Sequence, residues 1–278
     1  MIDLKKLIVF FAVCILLCGC SKKEIYIPDT YSVSGEVAVT FFDMEYGACT
    51  LIDAEKSSIL IGCGGADDFP SLYEYLRSKE VNIINALILP GETAYTGGFQ
   101  KIAANFDVEE VYVPENIKDI AKYRTISNLA ADDNSFYVAS DGTRIYDKDG
   151  LYIDVISSGV CNEEAFLSLY ITYGETSFFL EGNGDFVAER QMLLSGGEPI
   201  KADVISVPHC GTKYLPSEEF LEAVTPAYAV IPVYGECTPQ LTLQKKITER
   251  GTEILRTDTD GTVTFVSDGK KVKSYHKK

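Results

Sequence analysis

Basic side chains are scarce in this sequence, 25 Lys and Arg against 41 Asp and Glu, so the formal net charge is −16. Nucleic-acid binding normally leaves a basic footprint that neutralises phosphates, and beyond the pairs Lys270-Lys271 and Lys277-Lys278 there is none. The acidity reads as a solvated, soluble surface that excludes nucleic acid as a partner. Tryptophan is absent, and the tyrosine clusters Tyr73-Tyr75 and Tyr170-Tyr173 read as core or half-exposed strand residues, not as a carbohydrate platform. No Gly-x-Ser-x-Gly occurs, and Gly64-Gly65 and Gly196-Gly197 lack the Gly-Lys-Ser/Thr of a phosphate loop. Gly182-Asn183-Gly184-Asp185 begins like a calcium loop, but the rest of such a loop does not follow. Repeats, low-complexity tracts and Pro-, Gly- or Ser-rich linkers are also missing from the body of the chain, which argues for one core.

The N-terminus carries the clearest signal. Lys5 and Lys6 precede an apolar run, Leu7 to Leu17, too short to span a bilayer and typical of an export signal. It closes on Leu17-Cys18-Gly19-Cys20, which resembles the lipobox of bacterial lipoproteins, whose cysteine takes the lipid. The expected division is a signal peptide over 1–19, a lipidated tether over 20–34 and a folded domain over 35–278. Processing removes Asp3, Lys5 and Lys6 and takes the charge to −17. Acyl chains on Cys20 would anchor the protein to membrane lipid on the extracytoplasmic face.

Along the rest, short β-rich runs alternate with amphipathic segments, the pattern of an α/β sandwich. Strands are expected at Val37–Phe42, Cys49–Asp53, Ser58–Ile61, Ile84–Leu89 and Glu110–Val113. Helices are expected at Phe69–Lys79, from Gly97-Gly98 to Phe106, and from about Glu115 to Leu129. A β-rich middle follows at Ser135–Ala139, Leu151–Ile156, Leu167–Tyr173 and Thr176–Leu180. Alternation then resumes: helices Phe186–Leu194, Ser217–Val224 and Leu241–Arg250, and strands Val204–Val207, Tyr228–Val233, Glu253–Arg256 and Thr262–Val266.

Several segments in order resemble the metallo-β-lactamase-fold domain at the C-terminus of the competence protein ComEC and in related secreted hydrolases. Val39-Thr40-Phe41-Phe42-Asp43 through Gly47 resembles its opening strand and turn. Leu87-Ile88-Leu89 through Gly97-Gly98 resembles the strand and loop that carry its His-x-His-x-Asp-His motif. Phe178 to Asn183 stands where the family has Thr-Gly-Asp, and Ala202-Asp203-Val204 through His209-Cys210-Gly211-Thr212 is similar to its Ala-Asp-Val followed by His-His-Gly-Ser. The likeness runs over about residues 36 to 268, through Tyr234-Gly235 and Arg256 to Thr262. It implies a four-layer αββα sandwich.

Hydrolysis in that family rests on metal ions held by several histidines and aspartates. This chain has two histidines. The first motif position reads Gly91-Glu92-Thr93-Ala94-Tyr95-Thr96, the bridging aspartate becomes Asn183, the histidine pair becomes His209-Cys210, and a later histidine becomes Glu236 before Cys237. Ala48 and Gly62 stand where two further acids are expected. The resemblance therefore implies that the family's zinc site is lost and no cofactor is held. Two function classes follow: a non-catalytic domain whose former cleft binds a ligand or protein partner, and a phosphodiesterase- or esterase-class hydrolase with a rebuilt site. The rebuilt site would use Glu92, His209, Asp185 and Asp43, with Glu92 and His209 facing each other as an acid/base pair. The bland alternatives are a solvated Glu92 and a His209 that satisfies a backbone partner.

The same resemblance places Cys63, Cys210 and Cys237 on loops around the old cleft. Three states stay open for them: a Cys210–Cys237 disulfide, a soft site of three cysteines with His209, or small buried hydrophobes.

Overall fold

The computed structural model describes residues 35–115, 117, 123, 126, 135–195 and 200–277. The expected signal, the tether and nearly all of the expected helix from Glu115 to Leu129 lie outside them.

Fifteen of the strands make two large sheets. The first has eight strands in the order β17-β16-β1-β2-β3-β5-β7-β8. These are Val272–Tyr275, Val263–Ser267, Val37–Phe41, Thr50–Ala54, Ser57–Ile61, Ala86–Ile88, Val111–Pro114 and Phe136–Ala139. The second has seven, in the order β15-β14-β13-β12-β11-β10-β9. These are Glu253–Arg256, Tyr228–Ile231, Val204–Ser206, Thr176–Leu180, Glu164–Tyr173, Leu151–Cys161 and Arg144–Lys148. The short β4, Ile83–Ile84, pairs with β6, Asp107–Val108.

Alternation along the strands creates the layers. Val37, Val39 and Phe41 of β1, Ile59 and Ile61 of β3, and Phe178 and Leu180 of β12 meet in one cluster between the sheets. Leu51, Leu60 and Leu87 face the other way, onto Leu72 and Leu76 of the helix Phe69–Ser78 and Ile102 of the helix Phe99–Asn105. On the second sheet Phe179 and Ile205 turn out toward Phe220, Leu221, Leu243 and Ile247, carried by the helices Glu218–Val224 and Leu241–Thr248. Both faces of each sheet are covered, so its strands read as nearly continuous apolar runs, and the architecture is the expected αββα sandwich.

The structure corrects four local expectations. The expected strand Ile84–Leu89 is split, its start pairing in the small sheet. The expected gap between Ile156 and Leu167 is instead a long hairpin of β10 and β11 with a bulge between Val155 and Ser157, because cross-strand pairing overrides the turn-like Ser157-Ser158-Gly159. Strands β9 and β17 were not expected; both lie at sheet edges, where Arg144, Asp147 and Lys148 of β9 and Lys273 of β17 place charge. A four-residue helix, Thr93–Thr96, forms inside what reads as a loop.

Strand β1 has a different cavity at each of its ends. At its start, Val37 lies beside Gly35 and Glu36 in the wall of a cavity of about 160 Å³. At its end, Phe41 lines the cleft described next.

Candidate functional site

The loops after β1, β3, β5, β12, β13 and β14 converge at one end of the sandwich. Those of the first sheet are joined backbone to backbone: Ala48 N donates to Ala94 O (3.0 Å), Gly64 N to Ala48 O (3.1 Å) and Gly98 N to Gly64 O (3.0 Å). Such close approach needs glycine, since a Cβ on Gly47 would lie 2.1 Å from Ala94 O. The Asp68 carboxylate ties the turn after β1 by accepting from Glu45 N, Tyr46 N and Gly65 N at 2.8–3.2 Å. It is an anchor that sequence reading missed, because Asp68 looks only like an acid at a helix start.

Glu92 is buried, 6% exposed, in a cluster centred on Asn183, itself 8% exposed. Asn183 Nδ2 donates to Glu92 Oε2, and Asn183 Oδ1 accepts from His209 N at 2.6 Å. The His209 ring turns away, and its Nε2 donates to Gly184 O at 2.8 Å. That contact fixes the Nε2–H tautomer, and burial lowers the imidazole pKa from its ordinary value. His209 and Cys210 both hold left-handed backbone conformations, φ 52°, ahead of Gly211 at 66°. Consecutive left-handed non-glycine residues are strained.

Burial first, with the Glu92 charge adding to it, raises the hydroxyl pKa of Tyr95, Tyr123 and Tyr234 above the ordinary tyrosine value. Three neutral phenols thus lie within electrostatic reach of Glu92. What space remains among Glu92, Tyr95, Asn183, Ser206 and Cys49 is about 30 Å³, room for about one water.

The expected Glu92–His209 pair does not form: Asn183 stands between them, and the imidazole serves Gly184. The solvated Glu92 is likewise overturned by its burial, whereas His209 does satisfy a backbone partner. Asp185 is not brought into the cluster by a hydrogen bond; its Oδ1 accepts from Val187 N and Ala188 N at 2.9 and 3.0 Å, capping the helix Phe186–Ser195. Asp43 N donates to Thr262 Oγ1. Of the other former motif positions, Gly91 packs on Ala165 with φ 109°. Thr93 opens the short helix, Tyr95 walls the cavity, and Thr96 Oγ1 donates to Glu92 O at 2.9 Å.

The five cysteines of the described residues are free thiols, Cys210 and Cys237 included. Cys63 does not join those two, since its Sγ donates to Tyr95 O at 3.1 Å. Cys210 and Cys237 contact each other, and burial, then that contact, raises the Cys210 thiol pKa.

Among the described residues no three His, Cys, Asp or Glu side chains converge as metal ligands do. The donor set does not fit the family's metals either. Asn183 directs an N–H at Glu92, its oxygen is taken by His209 N, and the Nε2 of the one nearby imidazole carries a proton.

No characterised family profile matches the chain. ComE operon protein 3 of Bacillus subtilis is 22% identical over 260 residues, which cover 84% of this chain and 33% of that protein. The chain thus spans about a third of that relative. Among solved structures, the metallo-β-lactamase fold protein YhfI of Bacillus subtilis aligns with a TM-score of 0.55 at 11% identity, over 79% of this chain and 95% of that one. A diphosphatase of the PhnP family aligns at 0.52 and 10% identity, over 83% and 98%. Zinc-bound PqqB of Methylobacterium extorquens aligns at 0.50 and 9% identity, over 76% and 85%. The two packed sheets, their helical flanks and these likenesses establish that the chain has the metallo-β-lactamase fold.

Proposed function

We propose that this is a lipid-anchored extracytoplasmic protein whose metallo-β-lactamase-fold domain is non-catalytic and binds a ligand or protein partner around its former cleft. The observation that carries the reading is the Glu92–Asn183–His209 arrangement. An amide takes the central position and is satisfied on both sides by the protein itself, so the cluster is a closed structural unit with no open coordination position. The remaining space, about 30 Å³, leaves little room for a substrate. Anchoring rests on the run Leu7 to Leu17 and on Cys20.

The deciding experiment combines elemental analysis of the purified protein with a screen against phosphodiester and ester substrates. Substoichiometric zinc and background turnover are expected, and one or more tightly held zinc ions with turnover would overturn the reading. For the anchor, Cys20→Ala should abolish incorporation of labelled fatty acid; equal labelling of the variant would refute lipidation there.

One observation favours the second reading, a rebuilt hydrolase of phosphodiesterase or esterase class. A buried carboxyl among phenols, Glu92 with Tyr95, Tyr123 and Tyr234, is the environment that tunes an acid for proton transfer. Turnover in the screen that Glu92→Gln abolishes would establish it.

A further inference from the structure

Period-two alternation at the end of β12 puts Phe178 and Leu180 between the sheets and Phe179 on the helix side. Glu181 follows Phe179 onto that side, where it meets Glu189 of the helix Phe186–Ser195. The two carboxyls are 6% and 2% exposed and lie within side-chain reach of each other. A hydrogen bond between two carboxyls requires that one carry the proton.

The partners say which one does. Glu189 Oε1 accepts from Ser217 N at 2.8 Å, as a carboxylate would. Glu181 Oε2 is buried with no hydrogen-bond partner, and an ionised Glu181 would leave that charge uncompensated. The nearest cation, Lys246 of the helix Leu241–Thr248, faces both acids. Its Nζ donates to Tyr214 O at 3.0 Å and Pro216 O at 2.5 Å. Glu218 and Arg250 complete the charged groups around Lys246, and they pair with each other at 3.3 Å. A cavity of about 340 Å³, lined by Glu189, Arg190, Ser217 and Glu218 among others, brings water to the Glu189 side of the pair.

We infer that Glu181 and Glu189 form a proton-binding site, in which one proton held between two buried carboxyls fastens the segment His209–Ser217 to the end of β12. Each element of that fastening is in place: Glu189 holds Ser217 N, Lys246 holds the carbonyls of Tyr214 and Pro216, and Glu181 lies two residues before Asn183. Release of the proton to water creates a second buried carboxylate. Its repulsion acts on Glu189, and its attraction draws Lys246 from the two carbonyls, so the segment that carries His209 loosens as pH rises. Glu181 also borders the cleft, and the inference does not depend on whether that cleft binds or hydrolyses.

The test is infrared spectroscopy of the purified full chain across pH 5–9, paired with hydrogen exchange at Ser217 N–H, in the natural protein and in Glu181→Gln. The natural protein should show at pH 7 a carboxylic-acid carbonyl band that the variant lacks. Its Ser217 N–H should exchange faster relative to the variant as pH rises, because glutamine keeps a donor toward Glu189 and cannot ionise. Absence of the band at pH 7, its persistence in the variant, or identical exchange profiles would overturn the inference. Should Glu181→Gln not fold, Glu181→Leu takes its place: loss of the band at pH 7 supports the site, and persistence of the band refutes it.

Discussion

Asn183 donates its amide hydrogen to the Glu92 carboxylate, with both side chains more than nine-tenths buried. Asn183→Asp would therefore set a second buried acid against Glu92 and remove the donor. We expect a loss of about 3 kcal/mol of stability at pH 7, within the range for an uncompensated buried charge. Urea denaturation should show the deficit shrinking as the pH is lowered and the new carboxyl takes up a proton.

His209 gives the protein an acid-side limit. Burial lowers its folded-state pKa, so below about pH 6.5 the unfolded chain binds a proton that the folded chain refuses. Stability from this residue is complete above that pH and falls as the solution is acidified. His209→Gln, which keeps a donor for Gly184 O, should flatten the decline between pH 7 and 5 in thermal melts; an unchanged slope would exclude His209 as its source.

Glu181 acts in the opposite direction. Burial first, then Glu189, raises its pKa in the folded state, so the folded chain keeps a proton that the unfolded chain has lost above about pH 4.5. Its contribution is complete below that pH and is lost as pH rises toward the folded-state value. Denaturation from pH 5 to 9 should show the natural protein losing stability relative to Glu181→Gln.

Two glycines separate close approach from backbone preference. Gly91 has φ 109°, and a Cβ there would lie 2.7 Å from the Ala165 Cβ and 2.8 Å from its carbonyl oxygen, whereas Gly142 at φ 75° has nothing within 4 Å. Gly91→Ala should cost about 3 kcal/mol through overpacking and strain together, and Gly142→Ala about 1 kcal/mol through strain alone. Equal losses would show that the contact with Ala165 is not rigid.

Thiol reactivity should follow the layers. Cys49 and Cys63 are buried and burial pushes both thiols up, while Cys237 is partly exposed. In the native protein iodoacetamide at pH 8 should label Cys237 fully before Cys49 or Cys63. Mass spectrometry of the peptides reads this directly, and under denaturing conditions without reductant all five should label.

Much of this architecture could be read from the chain, because Val37 to Phe42, interrupted only by Thr40, and Phe178 to Leu180 announce buried strands through their apolar character. The edge strands β9 and β17 escaped, since Arg-Ile-Tyr-Asp-Lys at 144–148 and Val-Lys-Ser-Tyr at 272–275 are short, show no sustained apolar alternation, and gain their identity only from a neighbour. Glu92, Asn183 and His209 were each legible as residues of interest. Their arrangement was not: that Asn183 would satisfy both Glu92 and the backbone of His209 depends on three loops far apart in sequence. Glu181 and Glu189 were invisible for a related reason, as two acids in a row of turn and helix residues look solvated until packing encloses them.

The direction of β1 sets the cleft apart from the point where the described chain enters the domain. The chain enters the domain at Gly35, beside the 160 Å³ cavity, and reaches the cleft only at Phe41, at the opposite pole. Force applied through Gly35 therefore meets the ladders of β1 with β2 and β16 before it meets the loops around Glu92 and Asn183.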